Sequence, residues 1–330
     1  MWVEDISPAA APPQPPAARG APRLFVVANP GSGANDSAQT RQMLERVFRE
    51  AGRPAAFADV SSPAMLARAF ALAAAQAREE GGVLVGVGGD GTINTAAQAA
   101  LAHRCPLGVI PQGTFNLLAR DQGIPVHAET AARALLGASP RPMQVGFING
   151  QVFHLNASLG LYPQLLQDRE AFNAQFGRHP WVAAISALVT LFQWRRQLVL
   201  DVELDGHRTA LTTPMLFVAN NRLQLERIGL DEDITANLGA GRLVGLASRP
   251  IGGWAMLGLL LRGALGRLGE AGQVRSFSFQ RLEVRVRGRR RVKVSTDGEV
   301  RVMIPPLSFS VAPQPLMLMV PAEADRAPRE

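Results

Sequence analysis

Residues 83–103 read VLVGVGGDGTINTAAQAALAH. Val83 to Val87 form a short apolar run of the kind found in buried strands, and the stretch from Ile93 to His103 continues as helix. Between them three glycines, Gly88, Gly89 and Gly91, bracket a single acid, Asp90. A glycine loop between a strand and a helix exposes backbone N–H groups at the positive end of the helix dipole, which makes an anion site. A carboxylate there would repel a bound triphosphate unless a cation or a proton lay between them. Asp90 could hold a hydrated Mg²⁺ against the phosphates, or it could take a proton from an attacking hydroxyl. Both roles require a phosphoryl donor. A third reading, a tight turn whose aspartate caps the next helix, requires none.

Outward from this stretch the pattern repeats. LFVVA at 24–28 is an apolar run followed by the turn-like NPGSGAND. Met43, Leu44, Val47, Phe48 and Ala51 then fall on one helical face, with Gly52 as the stop. An extended segment around Phe57 leads to Ser61-Ser62-Pro63, a capping serine with proline placed for the first helical turn, and the helix that follows should end at Gly81-Gly82. LGVIP at 107–111 is a fourth strand, after which comes QGTFNLLARDQGIP. Strand–helix units of this length imply a parallel sheet with right-handed crossovers. Such sheets bind ligands beyond the carboxyl ends of their strands, and all three glycine loops follow strands, so they read as one site.

From about residue 143 the segments LVLDVELDGHRTAL, PMLFVANN, RLVGLA, QRLEVRVRGRRRVKVS and RVMI alternate or are β-branched, with glycines where hairpins would turn. This predicts an antiparallel, mostly β domain carrying two inserted helices, one near 180–193 and one near 251–268. The expected organisation is a disordered arm over 1–22, an α/β domain over 23–142, a β-rich domain over 143–320 and a disordered tail over 321–330.

Composition narrows the partners. The 330 residues are 47% hydrophobic, enough for about two domains. The 34 Lys and Arg against 27 Asp and Glu give a net charge of +7, which favours phosphate-bearing ligands or an anionic membrane surface. A lone cysteine, Cys105, forms no internal disulfide, and the five histidines lack zinc-site spacing, so a reducing compartment fits and a structural metal does not. The N-terminus lacks the apolar core of a secretory signal, and WVAAISALVTLFQW at 181–194 is too short for a spanning helix of about 20 residues. Any lipid association would be peripheral. Nucleic acid is disfavoured, because aromatic residues make up only 6% of the chain and none interleave the basic run RVRGRRRVKV. That run could face anionic headgroups or be a solvated edge. IGGWAMLGLLLRGALGRLGEAG could be an amphipathic element at a bilayer or a core helix. Neither GxxxxGK[ST] nor a GxGxxG after the first strand is present.

NPGSG at 29–33, GGDGTIN at 88–94, PQGTFN at 111–116 and DGE at 297–299 together resemble the four signatures of the diacylglycerol kinase catalytic-domain family. This family includes bacterial soluble lipid kinases, sphingosine kinases and ceramide kinases, with NAD kinase as a more distant relative. The resemblance covers roughly residues 23–320. It implies an N-terminal Rossmann-like α/β domain that binds ATP, a C-terminal antiparallel β-sandwich that carries the lipid site, and catalysis in the cleft between them. Carried onto this chain, it places Asn29, Pro30, Ser32, Gly33, Gly88, Gly89, Gly91, Thr92, Asn94, Gly113, Thr114 and Asn116 against nucleotide. Asp90 would organise Mg²⁺, directly or through water, and Glu299 is the candidate general base with Asp297 beside it. Read alone, DGE between two strands is most often a solvated hairpin.

The chain departs from the family at Thr95, where many relatives have Glu, and at Leu117, where many have Asp. Gly239 and Ala240 stand where relatives often carry an acid pair thought to hold a structural magnesium. The resulting expectation is a cytoplasmic, peripherally membrane-associated kinase that uses ATP and Mg²⁺ to phosphorylate diacylglycerol or a related lipid alcohol. The alternatives are a kinase for a soluble acceptor, in the manner of NAD kinase, or a catalytically silent nucleotide- or lipid-binding regulator. Sequence leaves the oligomeric state open, a homodimer included.

Overall fold

A computed structural model describes residues 21–31, 37–164, 166–167, 197–221, 241–249 and 274–328, with the single residues 225, 238 and 258. The first part alternates as the apolar periodicity predicts. It runs through β1 (Leu24–Ala28), α1 (Ser37–Glu50), β2 (Ala55–Phe57), α2 (Leu66–Glu80), β3 (Val83–Gly88), α3 (Asp90–His103), β4 (Leu107–Pro111), α4 (Leu117–Asp121), α5 (Ala128–Leu136) and β5 (Ser139–Met143). Pro63 opens a 3-10 turn before α2; Ser62 precedes it in extended conformation but its hydroxyl makes no capping bond. Gly81 ends α2 in the left-handed region (φ 65°), a conformation that costs glycine little, as its position in the sequence predicts.

The second part is antiparallel. Its strands are β6 (Gly146–Ile148), β7 (Gln151–Phe153), β8 (Asn156–Gly160), β9 (Leu198–Leu204), β10 (His207–Thr213), β11 (Met215–Ala219), β12 (Leu243–Ser248), β13 (Val274–Phe279), β14 (Arg281–Val286), β15 (Val292–Thr296), β16 (Glu299–Met303) and β17 (Leu307–Val311); β18 (Leu316–Val320) follows them in the chain. One sheet has the order β10-β9-β14-β17-β6-β7 and the other β13-β12-β11-β8-β15-β16. Phe153, Leu200, Leu282 and Phe309 of the first share one buried core with Leu159, Leu216, Phe279 and Val294 of the second. The two sheets are therefore a sandwich. Both inserted helices expected from sequence, near 180–193 and 251–268, lie outside the described residues.

The N-terminal sheet has the order β2-β1-β3-β4-β18-β5, parallel from β2 through β18 and antiparallel only at β18–β5. β18 is the last strand of the chain, so the polypeptide leaves the sandwich and closes the first sheet. Leu318 of β18 stands beside Leu107 of β4, both fully buried in the first core. The segment after β18 also differs from the loose tail that its composition predicts. Glu323–Asp325 form a 3-10 turn, and the Ala327 N–H donates to the Gly123 carbonyl at 2.9 Å. The return of β18 brings these residues alongside the loop after α4, which supplies backbone partners that composition cannot reveal.

Because β18 lies between β4 and β5, Leu318→Ala leaves a cavity where the two ends of the fold meet, and it should cost about 2–5 kcal/mol. Urea unfolding of the variant checks this. A change of a few tenths would mean that β18 is peripheral to the first sheet.

Candidate active site

The carboxyl ends of β1, β3 and β4 feed three loops that touch one another. Asn29 follows β1; its amide donates to the Thr92 hydroxyl at 2.9 Å and its side-chain oxygen accepts from the Gly31 N–H at 3.0 Å. Pro30 lies beside it, half-buried, while Ser32 and Gly33 lie outside the described residues. Gly88 ends β3, Gly89 is the N-cap of α3, and Asp90, Gly91 and Thr92 form the first turn. The first amide donating within α3 is that of Ile93, to the Gly89 carbonyl. The N–H groups of residues 90–92 precede it and, as at any helix start, have no intrahelical acceptor.

The second and third loops meet backbone to backbone. A Cβ on Gly113 would lie 2.8 Å from the Gly89 Cα and 2.9 Å from the Asn116 side-chain oxygen, so only glycine fits. Asn116, in the left-handed region (φ 50°), folds back on Gly113, accepting from its N–H and donating to its carbonyl, each at 2.8 Å. Thr114 and Phe115 project from this loop into solvent.

Asp90 lies between these two loops. Its carboxylate accepts from the Asn116 N–H at 2.9 Å and the Leu117 N–H at 2.6 Å. The capping reading is therefore half right: Asp90 caps a helix, but α4 rather than its own. Burial pushes its carboxyl up; the two amides pull it back down and the Asp297 charge adds to the rise. Each oxygen keeps a lone pair beyond the amide that it accepts. Among the described residues no three His, Cys, Asp or Glu side chains converge on a metal position. The donor set thus lacks an all-protein metal cage. It does fit a Mg²⁺ that keeps its waters and arrives with phosphate, which asks a protein for one or two carboxylates.

The DGE turn comes from the other domain. Asp297 and Gly298 both have positive φ (48° and 87°), the two-residue turn that matches strand twist in a hairpin, here between β15 and β16. It is a hairpin, as the residues alone predict, but a buried one, with Asp297 only 5% exposed. The Asp297 carboxylate accepts from the amides of His154 (2.8 Å), Leu155 (2.8 Å) and Asn156 (3.2 Å) and from the Asn94 side chain (3.2 Å). Gln98, one turn along α3 from Asn94, accepts from the Val152 N–H at 3.0 Å. One face of α3 thereby binds the sandwich.

Glu299, two residues past Asp297, reaches the start of α3, where a Cβ on Gly91 would collide with its carboxylate. Arg301 pairs with Glu299 at 2.8 Å. Sequence reading passed over Arg301, although the two-residue spacing along a strand puts both side chains on one face. Thr95, at a departure position, donates its hydroxyl to the Gly91 carbonyl at 2.9 Å. Gly239 and Ala240 lie outside the described residues.

The structure therefore brings Asn29, Gly88, Gly89, Asp90, Gly91, Thr92, Gly113, Asn116 and Glu299 to one opening, and it turns Asn94 and Asp297 toward each other beneath it. A cleft of about 310 Å³ beside α4 is lined by Leu118, Asp121, His154, Asn220 and Asn221. A larger hollow, about 560 Å³, lies over the paired charges of β9, β10 and β14, away from the glycine loops. Lining chemistry, not size, identifies the site. Cys105 is buried, its thiol pushed up to about 11, and takes no part.

Residues 23–148 match the family model of the diacylglycerol kinase catalytic domain. The chain is 34% identical over 151 residues to the diacylglycerol kinase of Bacillus subtilis (strain 168), a match that covers 44% of this chain and 48% of that one. It is 43% identical over 79 residues to a protein of Pseudomonas aeruginosa (strain UCBPP-PA14) named "Probable lipid kinase YegS-like", covering 23% of this chain and 26% of that one. The chain thus spans about half or less of the length of these curated relatives. A crystal structure of a diacylglycerol kinase from Bacillus anthracis strain Sterne superimposes with a TM-score of 0.65 at 15% identity, covering 92% of this chain and 98% of that one. The likeness to the diacylglycerol kinase catalytic-domain family, read first from four short signatures, is thereby shown in sequence over the N-terminal domain. In fold it extends over nearly the whole chain.

Two outcomes test the geometry. Gly113→Ala forces apart the two loops that Asp90 joins, and calorimetry should show a loss of about 1–3 kcal/mol; an unchanged melting temperature would place the loops farther apart. His154 is buried and neither ring nitrogen has a partner among the described residues, and burial lowers its pKa against the opposing pull of Asp297 and Asp121. The folded chain then binds this proton less readily than the unfolded one. Stability should be complete above the unfolded value near 6.5 and fall below it by up to about 1.4 kcal/mol per pH unit. His154→Gln should flatten that slope in pH-dependent unfolding, and a slope that persists would assign it to another group.

Proposed function

We propose that this protein is an ATP-dependent lipid kinase that transfers the γ-phosphoryl group to the hydroxyl of diacylglycerol or a related lipid alcohol. The observation that carries the reading is the position of Glu299. A carboxylate from the sandwich, paired with Arg301, is held over the helix start that the glycine loops surround.

In this reading the amides of residues 90–92 and the glycine backbones of the second and third loops receive the phosphates, and Asn29 fixes the first loop through Thr92. Close approach of a polyphosphate requires the Cβ-free wall that Gly89, Gly91 and Gly113 provide. The half-buried Asp90 carboxylate would hold a Mg²⁺ arriving with the nucleotide, directly or through water, and the ion would supply charge neutralisation for the phosphates. The acceptor hydroxyl lies next to Glu299, which takes its proton as the oxygen bonds to phosphorus and the bond from the γ-phosphorus to the β,γ-bridging oxygen breaks, releasing ADP. Arg301 holds Glu299 in place and leaves it an oxygen for that proton. Asp297 and Asn94 position Glu299 by fixing the turn from below. Phosphoryl transfer of this kind depends on placement and charge more than on covalent chemistry.

The acceptor is assigned to the lipids on the names of the relatives and the family, and the cell compartment compatible with this is the cytoplasmic side of a membrane. No helix among the described residues is long and apolar enough to cross one.

Transfer of label from γ-labelled ATP in the presence of Mg²⁺, to diacylglycerol, ceramide and sphingosine in mixed micelles with NAD as the soluble acceptor, tests the assignment. A labelled lipid is expected, with Glu299→Gln slower by about 10²–10⁴-fold at unchanged nucleotide affinity. Labelled NADP would move the protein to soluble acceptors. Tight nucleotide binding with no product would make it a binding protein.

A further inference from the structure

The turn between β14 and β15 carries Arg287 to Arg291 around Gly288. Its charges fall into two groups. Arg285 and Arg287 are neutralised by Glu283 (3.1 Å) and Asp201 (2.6 Å). Arg289, Arg290 and Arg291 have no ion pair or hydrogen-bond acceptor for their guanidinium groups among the described residues, and the last two are exposed. The register of β15 on β16 sets Val292 opposite Met303 and Lys293 opposite Val302, so the next step of the same ladder places Arg291 across from Ile304. Residues two apart share a face, which puts Arg291, Lys293, Val302 and Ile304 together. Val302 is 62% exposed and Ile304 66%, among the most exposed large apolar residues described.

β16 is an edge strand of its sheet. Edge charges alone would do no more than discourage strand pairing. Two exposed branched aliphatics beside three unpaired arginines form a different surface, apolar where it can sink between headgroups and cationic where it meets phosphate. We infer that the β14–β15 turn and the adjoining face of the β15–β16 hairpin, residues 289–293 with 302–304, dock this protein on an anionic lipid bilayer. The inference rests on the lipid kinase reading in choosing a membrane as the occupant. It goes beyond that reading by naming the surface. β15 runs from the basic turn to the Asp297 turn in five residues, roughly 17 Å at about 3.3 Å per residue. The catalytic opening therefore lies at the other end of β15 from the basic turn.

Co-sedimentation with vesicles of phosphatidylcholine alone, and of phosphatidylcholine mixed with phosphatidylglycerol, decides the point. The wild-type protein should bind the anionic vesicles and not the neutral ones. The triple variant Arg289→Gln/Arg290→Gln/Arg291→Gln should bind them about 100-fold more weakly. Val302→Ser/Ile304→Ser should weaken binding at unchanged charge. All should retain the wild-type melting temperature and turnover on a water-dispersed short-chain diacylglycerol. Equal wild-type binding to both vesicle types, undiminished binding by the triple variant, or capture of a single-stranded oligonucleotide in preference to the vesicles would each overturn the inference. If no lipid is phosphorylated by any form, the kinase reading fails and the vesicle result still decides the docking face.

Discussion

The carboxylate of Asp297 holds the molecule in its working shape. Four donors converge on it, three of them consecutive amides of residues 154–156 and one the side chain of Asn94 on α3. The Asp297 N–H returns a bond to the Asn156 carbonyl at 2.9 Å. A buried carboxylate is costly unless its lone pairs are satisfied, and here that requirement fixes three things together. It closes the β15–β16 turn, pins the start of β8 and joins the sandwich to the helix that begins at Asp90. Glu299 follows two residues later with no such ties from the backbone. Anchoring one acid of the pair frees the other to face the opening.

Asp90 does the same work on the N-terminal side. By accepting the first two amides of the α4 region it makes the second and third glycine loops one wall, and Gly89 against Gly113 permits the contact. The buried Asp297 and the half-buried Asp90 are thus structural in their geometry before any ligand arrives. β18 completes the frame. It passes from the sandwich into the parallel sheet beside β4, so the strand that ends in the third loop is clamped by the last strand of the chain.

Much of this frame was legible in the sequence because it is local. The spacing of Leu44, Val47 and Phe48 gives α1, Gly81 gives its stop to α2, and Asp-Gly pairs give the hairpin turns at 205–206 and 297–298. What those two turns do was not legible. Asp205 and Asp297 share a sequence and a positive φ, yet Asp205 is exposed and accepts from the amides of Gln280 and Arg281, whereas Asp297 is buried under amides more than 140 residues away. Burial of a polar side chain is set by what packs over it, and a local window does not contain that. For the same reason Asp90 could be given several roles from sequence but not its actual partners, which lie 26 and 27 residues on. The apolar run at 316–320 falls within the β-rich domain expected over 143–320, and the pairing of Leu318 with Leu107 moves it to the first sheet.

The division of labour between Asp297 and Glu299 is the claim on which the rest stands. Its most direct test is the unfolding free energy, by urea titration, of Asp297→Asn beside that of Glu299→Gln. An amide in place of the Asp297 carboxylate sets a donor against backbone donors, and the account predicts a loss of about 1–3 kcal/mol. For half-exposed Glu299 it predicts a change within about 0.5 kcal/mol. Equal losses, or a larger loss at Glu299, would contradict it and make the turn a surface hairpin with no part in joining the domains.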